Sequence, residues 1–320
     1  ARLQATNPDL VLVNGNPRSA SLFYNEAQQV GFKPPQGFFA DIAQNDSVIF
    51  TLVDPEFLEG TLVAGYIENL ASDSPAMEQF KADVEKYAPG EEPSAFMLLA
   101  YADALVTMEV LRLAGDNPTR EGVLDVLANE MEGYDANGLL VPLKWSGDQH
   151  VGVQGISLDL ITDGAFVRVN EYFEPGAPGE SAAPATTGDS TGVTDDEIKL
   201  GTFGDVSGPV AVVGLPFRTA HEIVAAKVNE AGGINGRQIV LVHEDDQYDP
   251  ARTIGAVRKM LEQDEVFLIF DSIGTPQCAA VMETLREENV PVIQCGVATR
   301  DENVTWSWQT VPTNNTVGLS

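Results

Sequence analysis

The chain has 320 residues, 43% of them apolar, with 48 acidic against 18 basic side chains and a formal net charge of -30. That length holds two domains of ordinary size, and the apolar content excludes wholesale disorder. The charge excludes a nucleic-acid binder, which needs clustered Lys and Arg to displace counterions from phosphates. Such acidity fits solubility, or a salty or extracellular setting. No apolar run approaches the roughly 18 residues of a membrane span and no signal-peptide pattern opens the chain, so a soluble protein is expected.

Residues 1–63 read as β/α units. Asp9 to Val13 is a buried strand, Ser19 to Val30 a helix ended by Gly31, and Gly37 to Ala40 a second strand with the polar loop Asp41 to Ser47 behind it. Phe57 to Tyr66 is a further short segment. Residues 67–132 are helical: Pro75 to Tyr87 is amphipathic, Ser94 to Ala114 is apolar all round and so buried, and Thr119 to Asn129 opens on an N-cap threonine. From residue 134 the texture changes. Asn137-Gly138 signals a turn, and Leu139 to Trp145, Gln154 to Ile161 and Phe166 to Val169 read as strands of a meander. Residues 174–194 are rich in Pro, Gly, Ser, Thr and Ala, too poor in large apolar groups to offset their ordering entropy, and read as a flexible linker.

Past the linker the chain alternates strand and helix. Ile198, Leu200 and Phe203 mark a strand, Phe217 to Asn229 a helix stopped by Gly232-Gly233, and Gln238 to Val242 the next strand. Asp249 to Gln263, Val266 to Phe270, Pro276 to Glu288 and Pro291 to Gln294 continue the alternation, which argues a doubly wound parallel sheet. The tail from Trp306 is polar and turn-rich, with no core-forming element.

Ligands of open parallel sheets bind beyond the carboxyl ends of the strands. The strongest such loop is Ser272-Ile273-Gly274-Thr275-Pro276, where free N–H groups and the Thr275 hydroxyl could hold a carboxylate at a helix N-terminus. Gly296-Val297-Ala298-Thr299 follows the next strand with further backbone donors. Both loops are equally compatible with ordinary βα turns. Catalytic patterns are thin: there is no GxSxG elbow, P-loop or HExxH, and Gly201-Thr202-Phe203-Gly204 lacks dinucleotide spacing. Glu244-Asp245-Asp246 reads as a solvated turn and N-cap region rather than a cation site. His150, His221 and His243 are scattered and read as surface or packing residues, so no metal and no cofactor is expected. Cys278, in a helix's first turn, and Cys295, at the end of the following strand, fall at places that can be close; spacing leaves a disulfide open.

Several of these stretches carry a family likeness. DEIKLGTFGDVSGPVAVVG, NEAGGINGRQIVLV, EDDQYDPARTIGAVRKML and GTPQCAAVMETLREENVPVIQCGVAT resemble the opening of type I periplasmic solute-binding proteins, the branched-chain amino acid binding branch of ABC transporters. ARLQATNPDLVLVNGNPRSASLFYNEAQQVGFK resembles the middle of that family's second lobe, and FLEGTLVAGYIEN with LLVPLKWSGDQHVGVQG its C-terminal third. The order differs from the family's, since the C-terminal part comes first and the opening follows the linker, which resembles a lipoprotein tether. A circular permutation is therefore expected, with a second-lobe segment on the order of 60 residues absent, from usual βαβ lengths.

The resemblance implies an α/β fold of two doubly wound parallel-sheet lobes with a hinge and an interlobe cleft. One lobe would be 64–133 plus 195–311 and the other 1–63 plus 134–173, with a crossing at 312–320. It implies a non-catalytic receptor for a small solute (an amino acid, amide or small carboxylate), working with a membrane permease outside the cytoplasm. The family's carboxylate and ammonium contacts match Thr275, Gly296, Ala298 and Thr299, with Ser272 in the same loop, and Asp41 stands nearest to the acidic residue of the second lobe. Val213 falls against the solute side chain and Asn16 in a contributing loop. The alternatives are an engineered permuted sensor on the same scaffold, a receptor for amides or aromatic acids, and a hydrolase, which the scattered histidines disfavour.

Overall fold

The computed structural model describes residues 2–15, 17–40, 44–45, 47–147, 150–153, 155–169, 188–296 and 307–308. They fall into two compact units, Ala1–Asp73 with Gly155–Pro175 and Ser74–Gln154 with Gly176–Ser320.

The first unit carries α1 (Arg2–Ala5), β1 (Val11–Val13), α2 (Pro17–Gln29), β2 (Phe38–Ala40), α3 (Ile49–Leu52), α4 (Pro55–Leu58) and β3 (Leu62–Gly65). Helices α5, α6 and α7 belong to the second unit and are Pro75–Tyr87, Ala95–Leu113 and Arg120–Asn129; the first unit resumes with β4 (Ser157–Thr162) and β5 (Ala165–Arg168). Its sheet runs β1-β2-β3-β4-β5, with the first three strands parallel and β4 antiparallel to both neighbours. The β4–β5 turn is Asp163-Gly164, both at positive φ, as a two-residue hairpin requires. Phe38 meets Tyr24 of α2 edge-to-face at 5.3 Å. The Tyr24 hydroxyl donates to Gln44 Oε1 at 2.9 Å and the Gln44 amide donates to the Val13 carbonyl at 2.6 Å, so the buried polar tip is satisfied.

The second unit adds β6 (Glu197–Gly204), α8 (Ala211–Glu230), β7 (Gln238–Asp245), α9 (Pro250–Lys259), β8 (Leu268–Ser272), α10 (Thr275–Glu287), β9 (Val292–Cys295) and β10 (Ser307–Trp308). The sheet is parallel throughout, ordered β10-β9-β8-β6-β7. The first strand lies between the second and the third, so the order reverses at β6, and ligands of doubly wound sheets bind at such a point. Helix α6 packs on α8 and touches β8. Phe203 joins the core made with α9 and α10. Its neighbour Thr202 faces the opposite way, toward α8 and α6, as strand alternation requires. Side chains cap the helices where the sequence placed them: Ser74, Ser94 and Thr119 accept from the N–H groups of Met77, Met97 and Gly122.

Four sequence expectations change. Leu139 to Trp145 is not a strand; Leu139, Leu140 and Val141 are all buried in succession, which an alternating half-buried strand cannot do. Three backbone bonds pin that segment instead, Gly133 N–H to Leu143 O, Leu143 N–H to Tyr134 O and Lys144 N–H to Gly152 O, at 2.7–2.8 Å. The tail does hold a strand, because β10 pairs with Val292 and Ile293. Residues 188–194 of the expected linker are tied down: Asp189 pairs with buried Arg120 at 2.5 Å, and Ser190 Oγ donates to Pro118 O at 3.0 Å. Asp246 is not solvated but fully buried, accepting from Thr253 Oγ1 at 2.8 Å and the Tyr248 N–H at 2.9 Å.

Candidate functional site

The carboxyl edge of the second unit's sheet gathers the candidate residues. Strand β6 is followed by fully buried Asp205, whose carboxylate accepts from the N–H groups of Ser207, Gly208 and Val210, at 3.2 Å for Ser207 and 2.6 Å for Val210. The loop is thus wrapped around its own anion. Gly214, one turn into α8, sits against it; a Cβ there would lie 1.8 Å from the Asp205 carbonyl oxygen, so only glycine fits. Asp245, at the end of β7, ties in the same loop, accepting from Ser207 Oγ at 2.5 Å and the Val206 N–H at 3.1 Å. Partial burial pushes the Asp245 carboxyl up, but the hydrogen bonds from Ser207, Val206 and Gln247 outweigh it and hold it below the usual range. Val213 is half-buried in the first turn of α8.

Strand β8 leads through Ser272, Ile273 and Gly274 into α10. Gly274, at φ 105°, is the N-cap, and no side chain caps the helix. Thr275 is half-buried at its first position with Pro276 behind it. The Ser272 hydroxyl is occupied within the sheet: it accepts from the Phe203 N–H at 3.1 Å and donates to the Phe270 carbonyl at 3.3 Å. Strand β9 ends in Cys295, disulfide-bonded to Cys278 in the first turn of α10. Gly296 follows, its N–H donating to the Ser272 carbonyl at 2.9 Å. A Cβ on Gly296 would lie 3.1 Å from both the Thr275 Cα and N, so these two backbones touch. Thr275 and Gly296 are therefore brought together. Asp41, Asn16, Ala298 and Thr299 lie outside the described residues.

Beside this edge, between α8 and the sheet, lies a cavity of about 70 Å³ whose lining includes Thr202, Gly204, Phe217, His221, His243 and Asp271. His221 is buried, with its Nε2 2.6 Å from Asp271 Oδ2, and its ring stacks on that of His243 at 5.5 Å. Asp103 of α6 is a hydrogen-bonding partner of Asp271 from the other side. Such a close contact could be an ion pair or a neutral hydrogen bond. Burial is complete for both partners and pushes the Asp271 carboxyl well above its usual range. It drives His221 down to about 3, and His243 likewise, with the neighbouring imidazole adding to the latter. Two carboxyls in contact cannot both ionise, so we assign Asp271 as the neutral acid, donating its proton to a neutral His221. Sequence reading gave His221 and His243 only a surface or packing role and missed the cluster. The signal was present: Phe217, Ala220, His221 and Val224 recur at helical spacing and are buried together.

The chain is similar to several known proteins. A 106-residue match to Leu/Ile/Val-binding protein homolog 7 of Brucella abortus (strain 2308) is 32% identical, covering 33% of this chain and 26% of that protein. The leucine-, isoleucine-, valine-, threonine-, and alanine-binding protein of Pseudomonas aeruginosa is 34% identical over 74 residues, 23% of this chain and 20% of that one. The chain thus spans about a quarter of the length of the curated relatives it matches. A fatty acid ABC transporter substrate-binding protein from Thermomonospora curvata aligns with 32% identity over 34% of this chain and 27% of its own, at a TM-score of 0.30. The family model described as periplasmic binding protein matches residues 1–165 and 197–318, nearly all of the sequence outside the low-complexity stretch, and the chain belongs to that family.

Proposed function

We propose that this protein is a non-catalytic substrate-binding component of an ABC importer, taking a small amino acid-like solute at the carboxyl edge of the second unit's sheet. The observation that carries the proposal is the contact between Thr275 and Gly296 beside an uncapped helix N-terminus. A solute carboxylate placed there meets the Thr275 hydroxyl, first-turn N–H groups and the positive end of the α10 dipole. Ala298 and Thr299 extend that donor set, Val213 meets the solute side chain, and Asp41 and Asn16 complete the proposed contacts. The relatives bind leucine, isoleucine and valine, which makes aliphatic amino acids the first solutes to try.

A non-catalytic role is supported by membership of the periplasmic binding protein family. Family membership supports an extracytoplasmic location and a membrane permease as partner, and the order of the resembling segments supports a circular permutation, which the source gene's sequence would check. Titration calorimetry with L-leucine, L-isoleucine, L-valine, their amides and aromatic acids tests the function. Saturable heat with one class supports it; no binding by any compound refutes it.

A further inference from the structure

We propose that the Cys278–Cys295 disulfide is a positioning device for the solute-binding wall: it ties the first turn of α10 to the last residue of β9 and so sets the spacing between Thr275 and Gly296. The inference rests on the reading of those two residues as solute contacts. Cys278 lies three residues, about one helical turn, after Thr275, and its N–H donates to the Gly274 carbonyl at 2.9 Å. Cys295 immediately precedes Gly296, so the bridge reaches both halves of the wall through the shortest covalent path the two segments allow.

Among the described residues the other bonds here do not reach α10. The helix start has no side-chain cap, and Gly274 holds a φ of 105°. The other half is held by the β8–β9 pairing that runs to Ser272 and Cys295, by the Gly296 N–H to Ser272 O, and by the Gln294 amide donating to the Gly296 carbonyl at 3.3 Å, all of them bonds within β8, β9 and their loop. Apolar packing beneath the wall, from Val281, Leu285 and Val292, holds α10 on the sheet but is non-directional and tolerates sliding. Hydrogen bonds to a carboxylate do not, because binding groups must stay within about 0.5 Å of their productive geometry. Both cysteines are fully buried, which shields the bond from reductants and makes it a fixed strut.

The test compares the full chain with C278A/C295A, and with the volume-restoring C278V/C295A should the first fail to fold. Amide hydrogen exchange and L-leucine calorimetry are run at a temperature where every protein is fully folded. The expected result is exchange about tenfold faster at the Gly296 amide and at that of residue 278, which donate to Ser272 O and Gly274 O, with β6 and β7 unchanged, and leucine affinity lower by about tenfold. Unchanged exchange at Gly296, or a uniform rise across the sheet, overturns the proposal, as does local loosening with full leucine affinity. Should the wild-type protein bind no solute, the binding role fails separately, and the exchange pattern alone decides whether the bond sets the spacing.

Discussion

Asp271→Asn separates the charge of the buried cluster from its shape. A carboxamide can donate to His221 Nε2 as the neutral acid does, but it does not titrate. The histidines and the aspartate act in opposite directions on stability. His221 and His243 have folded values near 3, below the ordinary 6.5, so their contribution is present above about pH 6.5 and lost as pH falls toward 3. Asp271 is raised above the ordinary 3.8, so its contribution is full below that pH and lost as pH rises toward its folded value. Above pH 6.5 only the aspartate slope remains. As long as Asp271 keeps its proton in the fold, the folded cluster holds one proton more than the unfolded chain, and stability falls with rising pH at no more than about 1.4 kcal/mol per unit. Urea unfolding followed by Trp145, buried in the same unit, reports the difference. D271N should lose that downward slope, gaining on wild type as pH rises above 6.5. Parallel pH profiles would mean that Asp271 is ionised in the fold and that the neutral pair is wrong.

Thr275→Ala removes one donor to a charged acceptor and should weaken solute binding by about 1–3 kcal/mol with unchanged Tm; equal affinity in calorimetry would remove Thr275 from the site. Arg120 donates to the Val266 and Phe267 carbonyls at 3.0 and 2.9 Å and pairs with Asp189. Arg120→Ala should cost about 2 kcal/mol in urea unfolding and free residues 188–193 for proteolysis, which intact resistance would refute. Gln277 is fully buried, and neither amide atom has a partner among the described residues. Gln277→Met, of similar volume, should therefore be neutral or stabilising by about 1 kcal/mol, and a fall in Tm would show that the amide has a role in the fold.

Local chemistry was legible in the sequence. The N-cap Thr119 lies three residues before the N–H group it serves, and the unbroken apolar run of Ser94 to Ala114 matched α6 almost to its ends. The doubly wound order was legible because strands and helices alternate without interruption from β6 to β9. What failed was non-local. Leu139 to Trp145 reads as a strand because its residues are β-formers, but its burial is decided by backbone bonds to Tyr134 and Gly152. Asp103 and Asp271 lie far apart in the sequence, and only the packing of α6 against β8 makes them a pair. The disulfide stayed open in the sequence for the same reason: its Cβ geometry depends on how α10 lies on β9.

Three helices begin at the carboxyl edge; Asp249 caps α9, and the structure distinguishes the other two. The start of α8 already holds an anion, since Asp205 takes the N–H groups of Ser207, Gly208 and Val210, while those of Ala211 and Val213 go to backbone carbonyls. A second carboxylate there would face Asp205 and Asp245 at close range, a repulsion that grows as water is excluded. The start of α10 holds none: no side chain caps it, and among the described residues the Thr275 and Gln277 N–H groups have no acceptor. In a chain of net charge -30 an anionic group needs such a local vacancy to be attracted at all. This predicts an asymmetry between the helices. Asp205→Asn should loosen the β6 loop and cost about 1–2 kcal/mol of stability while leaving solute affinity within about twofold. A loss of binding as large as that for Thr275→Ala would place the carboxylate at α8 instead.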